Sequence, residues 1–327
     1  MMRLFVYLPF IILSIACNNK EKNEKPVTTD PYPTLEVQRA ALAGKPYATP
    51  VRLIDSLQLI SDLQFLSSAA CEGREPGTAG HALARTRILE RLRATAVDSL
   101  GGSLIQPFSS SNINGSTEGL NVIGWVKGTS NAGKYLVLTA HYDHLGKDGS
   151  TIYYGADDNA SGVACLLALA DYFKAHPRPY SIVFAVLDRE ETGLRGAYAA
   201  VDWLQAKLGN QALAFNINMD MIARSDKGEI FVSGVKHFPD YAYVVNDVQP
   251  YTNVKVLMGH DSGSPGDDWT LQSDHAAFYA KQIPFLYVGV EDHPDYHKPT
   301  DTFERVNLSD YLENCNMVLQ MIKALRL

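Results

Sequence analysis

The chain has 327 residues, of which 46% are apolar and 20% charged. That length suits one large α/β domain with an N-terminal extension, or two small domains, and the composition is that of a globular chain with a substantial core. The net charge is −7 and no basic run is interleaved with aromatics, so nothing points to a nucleic-acid partner. Internal repeats and low-complexity tracts are equally absent.

The chain opens with MMRLFVYLPFIILSIAC, which carries Arg3, an apolar run short for a bilayer span, and small residues before Cys17. This pattern predicts a cleavable export signal over residues 1–17. LSIAC resembles a bacterial lipobox, with Ser14 where Leu is usual, which implies lipidation of Cys17. The expectation is an exported chain of the bacterial cell envelope, lipid-anchored to a membrane. Residues 18–50 are polar and proline-bearing and predict a flexible tether, leaving residues 51–327 as a single domain. Besides Cys17 the chain has Cys71, Cys165 and Cys315, with no spacing typical of a zinc or redox pair. Cys165 lies in an apolar helical pattern. An oxidising compartment permits a Cys71–Cys315 disulfide.

Within the domain, VRLIDSLQLISDLQFLSS has helical spacing, CEGREPGTAG reads as a glycine-rich loop, and HALARTRILERLRATAV as an amphipathic helix. Strands and helices then alternate. GLNVIGWVKG, GKYLVLTAHYD, SIVFAVLD, LAFNINMDMI and IPFLYVGV read as strands, and SIVFAVLD as one buried on both faces. SGVACLLALADYFKAH, GAYAAVDWLQAKL, KHFPDYAYVVNDVQP and SDHAAFYAK supply helices, and the last helix runs from about Ser309 to Leu327. The alternation predicts a three-layer α/β/α domain around a central mixed, mostly parallel sheet.

Polar groups stand where the strands end. YLVLTA runs into His141 and Asp143, SIVFAVLD into Glu190 and Glu191, FNINMD ends on Asp220, and FLYVGV leads to His297. In open α/β sheets ligands bind at the carboxyl ends of the strands, so these groups should meet at one edge. Asp157 and Asp158 precede the helix expected from about Ala160; alone they would be ordinary N-terminal caps. Imidazole and carboxylate together suit zinc, and one bridging carboxylate lets His141, Asp158, Glu191, Asp220 and His297 serve two ions. Glu190, free beside Glu191, suits a general base, and Asp143 suits a partner for the second ring nitrogen of His141.

TAHYDHLG, YYGADDNASGVA, REETGLRGA, NMDMIAR and DYHKPTDTFERV, in this order, resemble the M28 metallopeptidases, the zinc aminopeptidase group. LSSAACEGREPGTAG resembles a leader of bacterial members, and the resemblance runs from about residue 55 to the end. It implies a zinc-dependent exopeptidase fold and two Zn2+ per chain. His141 and Asp220 would hold one ion, Glu191 and His297 the other, with Asp158 as bridge and Glu190 as base. Asp188 and Arg189 depart from the pattern, standing where small residues such as Gly are common. The implied reaction is removal of N-terminal residues from peptides. The alternatives are a glutaminyl cyclase, which shares the architecture and uses one zinc, and a non-catalytic surface binding module. The complete ligand set disfavours the last.

Weaker candidates surround this set. His144 is expected near the site as a loop residue or as a partner of a ligand, without binding metal itself. Ser273, Asp274 and His275 are consecutive and cannot form a hydrolase relay by themselves; a helix cap by Ser273 or Asp274, with His275 near the cleft, is expected. His293 and Asp295 share the loop of His297 and would shape a pocket. Asp261, Asp267 and Asp268 lie in a glycine-rich acidic loop, and Tyr287 is expected in the core.

Overall fold

The computed structural model describes residues 31–44, 52–112, 115–264 and 266–327. The expected signal and Cys17 lie outside these residues. Among the described residues no helix is long and apolar enough to cross a membrane.

An eight-stranded mixed sheet forms the centre, in the order β1-β2-β6-β3-β7-β10-β8-β9. Its strands are β1 (Ile105–Asn112), β2 (Gly115–Val126), β3 (Asn131–His141), β6 (Tyr180–Leu187), β7 (Leu213–Met219), β8 (Glu229–Ser233), β9 (Lys255–Met258) and β10 (Phe285–Gly289); β4 (Lys147–Asp148) and β5 (Thr151–Ile152) make a separate small hairpin. β6, β3, β7 and β10 run parallel at the centre. β2 pairs antiparallel with β6, and β8 antiparallel with β10. The three strands of the large sheet that the sequence does not announce, β1, β8 and β9, are all outside this parallel block. They are short or polar and carry no strong alternation of their own.

The helices are α1 (Leu35–Leu42), α2 (Ser56–Leu66), α3 (Ala79–Ala94), α4 (Gly162–Ala175), α5 (Arg195–Leu208), α6 (Ala242–Val248), α7 (His275–Ala280) and α8 (Leu308–Ala324). The period of two along the strands splits the core into layers. Leu136, Leu138 and Ala140 of β3 pack with Leu59, Ile88, Leu166 and Val318 from α2, α3, α4 and α8. Val137 turns the other way, onto Ala197, Val201 and Phe278 from α5 and α7. β6 is buried along its whole length, as its unbroken apolar run predicts.

Residues 35–42, assigned above to a flexible tether, form α1 and lie against β9. Thr34 caps the helix, and Gln38 pairs with the edge strand as another strand would. Its amide nitrogen donates to the Met258 carbonyl and its amide oxygen accepts from the Met258 N–H, both at 2.8 Å. Arg39 adds an ion pair with Glu229 at 2.8 Å. Local composition does not carry this signal, because the partners are more than 180 positions away. Cys71, Cys165 and Cys315 are buried free thiols, so the disulfide between Cys71 and Cys315 is not formed.

Candidate metal centre

The parallel block delivers its polar groups to one edge. His141 closes β3, Glu190 and Glu191 follow β6, Asp220 follows β7, and the segment after β10 carries His297. Asp158 arrives from residues 156–161, a wide non-helical turn before α4. Three of these ligand candidates, His141, Asp158 and Asp220, are buried.

Asp158 stands between two donor groups. Its Oδ1 lies 3.4 Å from His141 Nε2, which is itself 3.2 Å from Asp220 Oδ1. Its Oδ2 lies 3.1 Å from His297 Nε2, which is 3.4 Å from Glu191 Oε2. His141 Nδ1 lies 3.1 Å from the Asp143 carbonyl, which can only accept a proton. That contact assigns the ring proton to Nδ1 and turns the Nε2 lone pair toward Asp158 and Asp220. With the ring neutral, three acceptors converge there, His141 Nε2, Asp158 Oδ1 and Asp220 Oδ1. A divalent cation fits that arrangement, and the imidazole–carboxylate donor set is one zinc accepts. His141, Asp158 and Asp220 each offer one ligand atom within 4.8 Å of the others, as do His144, Asp158 and Glu191.

The surroundings fix each ligand candidate. Ser273 Oγ donates to Asp220 Oδ2 at 2.7 Å, leaving Oδ1 toward His141. Asn218 Nδ2 donates to Ser273 Oγ, and Thr139 Oγ1 donates to Asn218 Oδ1. Tyr287, expected only as core, donates its hydroxyl to the Asp220 carbonyl at 3.1 Å. Asp301 Oδ2 accepts from the N–H groups of Asp157 and Asp158 at 3.0 and 3.1 Å. The Asp157 carboxylate is taken by Ala223 N–H and lies 3.1 Å from His293 Nε2, which leaves the bridging position to Asp158. Asp295, in the same loop as His293, binds Arg224 at 2.9 Å.

Several weaker expectations change here. The Asp143 carboxylate accepts from the N–H groups of Glu190 and Glu191 at 3.0 and 3.3 Å, and is 3.7 Å from His141 Nδ1. It therefore orients the glutamate pair rather than the histidine. Ser273 does not cap α7, and Asp274, at the cap position, makes no cap bond with its side chain. Both Asp274 carboxylate oxygens are buried without a hydrogen-bond partner, and burial pushes the group up to about 8. His275 is fully buried against the Trp269 carbonyl, its Nδ1 3.4 Å from Asn218 Nδ2 behind Ser273 and Asp220, and burial pushes it down to about 4. In the acidic loop Asp261 anchors the N–H groups of Gly234 and Lys236, Asp267 pairs with His260, and Asp268 with Thr270.

His144, expected as a loop residue or as a partner of a ligand, stands against a ligand candidate. Its Nδ1 is 2.8 Å from Glu191 Oε1 and 3.6 Å from Asp158 Oδ2, and the side chain is fully buried. The second histidine of HYDH was the available signal. Burial opposes charge on Glu191, but hydrogen bonds from His144 and His297 outweigh it and hold the carboxyl well below its usual range. Burial likewise opposes charge on His141, but in the metal-free chain Asp220 and Glu190 hold its ring well above the ordinary value, so a proton on Nε2 occupies the position the proposed cation would take. Burial raises Glu190 well above the usual carboxyl range, against the pull of His141. Hydrogen bonds to Asp158 and Glu191 lift His297 to about 10. Arg189 and Met221, each beside one of these groups, and His297 itself have φ of 63°, 57° and 53°. Such left-handed backbone in non-glycine residues concentrates at functional sites. It also accounts for glycine being usual near Arg189. Asp188 turns inward, 3.0 Å from His81, beside a cavity of about 690 Å³ that Arg85 and Arg189 also line.

A three-layer fold with a buried imidazole–carboxylate cluster at the carboxyl edge of its parallel strands defines the class. The model of peptidase family M28 matches residues 121–322, and the chain belongs to that family. Aminopeptidase YwaD of Bacillus subtilis is 29% identical over 178 residues, covering 52% of this chain and 36% of that protein. The chain thus spans about a third of that relative's length. Among solved structures, BSAP, a zinc aminopeptidase from Bacillus subtilis, superposes with a TM-score of 0.64 at 16% identity, covering 82% of this chain and 94% of that one. An Acidobacteriales bacterium glutaminyl cyclase superposes with a TM-score of 0.67 at 20% identity, covering 86% and 98%. These two likenesses establish the shared fold.

Proposed function

We propose that this chain is a zinc peptidase that removes N-terminal residues from peptides, using two Zn2+ held by His141, Asp158, Glu191, Asp220 and His297. The observation that carries the two-ion reading is the division of Asp158: one oxygen faces His141 and the other faces His297. The relatives' names support peptide hydrolysis, and the M28 family places the chain among peptidases. Bound there, the ions would polarise the scissile carbonyl and acidify water.

The chain's own groups supply the rest. Asp143 fixes the backbone of Glu190, so the Glu190 carboxylate is presented from a rigid turn. Glu190 takes the proton of the attacking water and returns it to the departing amine. The excess of carboxylates at the site favours a substrate carrying a free ammonium group. Cys17, as a lipidated first residue of the mature chain, would anchor the enzyme to a bacterial envelope membrane. Mass spectrometry of the mature N-terminus, in parent and Cys17→Ala, tests the anchor: an unmodified N-terminus in the parent removes it.

The deciding experiment is mass-spectrometric analysis of matched peptides with free and acetylated N-termini, alongside zinc stoichiometry. Stepwise loss of residues from free ends only, with two zinc ions per chain, is expected. Loss of ammonia from N-terminal Gln without cleavage, with one zinc ion, would establish a glutaminyl cyclase instead. Neither reaction, with no zinc bound, would leave a binding module.

A further inference from the structure

Arg74 lies in the leader segment CEGREPGTAG, outside the ligand set, and is fully buried. Its Nε donates to the Tyr142 carbonyl at 2.9 Å. Its Nη1 donates to the carbonyls of Leu66 and Tyr154, both at 2.8 Å. Its Nη2 donates to Gly155 at 2.8 Å and to Asp158 at 3.1 Å. A guanidinium has five N–H donors, and here each meets one main-chain carbonyl. Three of these acceptors lie in residues 154–158, which present Asp158, and a fourth is the residue between His141 and Asp143.

Close backbone approach makes the arrangement possible. A Cβ on Gly155, whose φ is 56°, would come within 2.7 Å of Arg74 Nη2. A Cβ on Gly73, whose φ is 69°, would meet the carbonyls of Gly146 and Tyr153 at 2.2 and 2.4 Å. The leader is therefore pressed into the ligand-bearing segments on both sides of the arginine. Among the described residues no carboxylate bonds to this guanidinium; after burial itself the electrostatic influences on it are Cys71 and then Asp158, Asp301 and Asp143 of the acidic centre.

We infer that Arg74 is a positioning residue for the metal centre: it sets the backbone of the Asp158 turn relative to the His141 strand end, and so the separation of the two ends of the bridge. This rests on the metal reading proposed above. Lysine is a point donor and cannot span five carbonyls, so Arg74→Lys keeps the charge and loses the geometry.

The test uses the full chain as parent, Arg74→Lys and Arg74→Gly. Zinc affinity is measured by competition with a chromophoric chelator, and the unfolding of the metal-free chain by circular dichroism. We expect Arg74→Lys to unfold cooperatively without metal yet bind zinc at least tenfold more weakly, with kcat lowered more than KM is raised. Low-millimolar guanidinium should restore zinc affinity to Arg74→Gly and leave the parent unchanged. Parental zinc affinity in Arg74→Lys would overturn the role of Arg74, as would an Arg74→Gly chain that folds but gains no affinity from guanidinium. A parent that binds no zinc would overturn the metal reading itself.

Discussion

Glu190 and Glu191 are adjacent and have opposite surroundings. Glu191 is held by His144 and His297, whereas Glu190 is half-buried near His141 with only its backbone fixed. Removing the carboxylate of Glu190 should therefore spare metal binding. Glu190→Gln is expected to fold, to keep parental zinc stoichiometry, and to lose about 10²–10⁴-fold in kcat; steady-state peptide hydrolysis checks this, and near-parental turnover would remove Glu190 from the base role. His144→Gln removes the contact to Glu191 Oε1. It is expected to weaken one zinc and spare the other, visible as two separated steps in a chelator titration where the parent shows closely spaced ones. The ligand candidates were legible in the sequence because each follows a strand of the parallel block or precedes a helix. The role of His144 was legible only in part, since it depends on which ring nitrogen faces Glu191, and the Asp143 carboxylate was misassigned because the N–H groups that donate to it lie 47 and 48 positions further on.

At the level of elements, two polar joints hold helices in place. Asp62 of α2 is buried and receives hydrogen bonds from Arg87 and Arg91 of α3 at 3.0 and 2.7 Å. Asp62→Ala leaves the half-buried Arg91 with less compensation and should cost about 2–3 kcal/mol, read from urea unfolding of the metal-free chain. The second joint docks α1. Burial opposes charge on Glu229, but Arg39 and Lys255 outweigh it and hold the carboxyl below its ordinary value. A depressed carboxyl contributes stability above the unfolded value of about 4.3 and loses it as pH falls through the folded one. Hydrogen exchange in α1, corrected for intrinsic rates, should accelerate across that acidic window in the parent. Glu229→Gln should begin less protected at neutral pH and change little further. The long helices α3, α4, α5 and α8 and the parallel strands were readable from period and burial. α1 was not, because eight residues of mixed polarity carry little signal until Gln38 meets Met258.

For the whole molecule, the edge strand β9 is the exposed flank of the sheet, and α1 covers it. An unpaired edge templates association with other chains. A chain beginning at residue 52 is expected to self-associate under conditions where the longer chain remains a single species, as light scattering after gel filtration would show. Metal should also act globally. Asp158, Asp220 and Glu191 crowd one edge, and among the described residues only histidines stand as their ion-pair partners. Zinc that binds the folded chain alone adds stability in proportion to the logarithm of its free concentration. The thermal midpoint should therefore climb with free zinc and fall on chelation, and a midpoint indifferent to both would contradict the proposed centre.

The five acceptors around Arg74 are all main-chain oxygens. Every residue offers the same oxygen, whatever its side chain. Tolerance to mutation is consequently one-sided: Leu66, Tyr142 and Tyr154 can drift among residues that fit their packing while the joint persists, whereas the arginine has no substitute. The geometry of the centre is thereby entrusted to a single codon in the leader and insulated from change at most of the positions it organises.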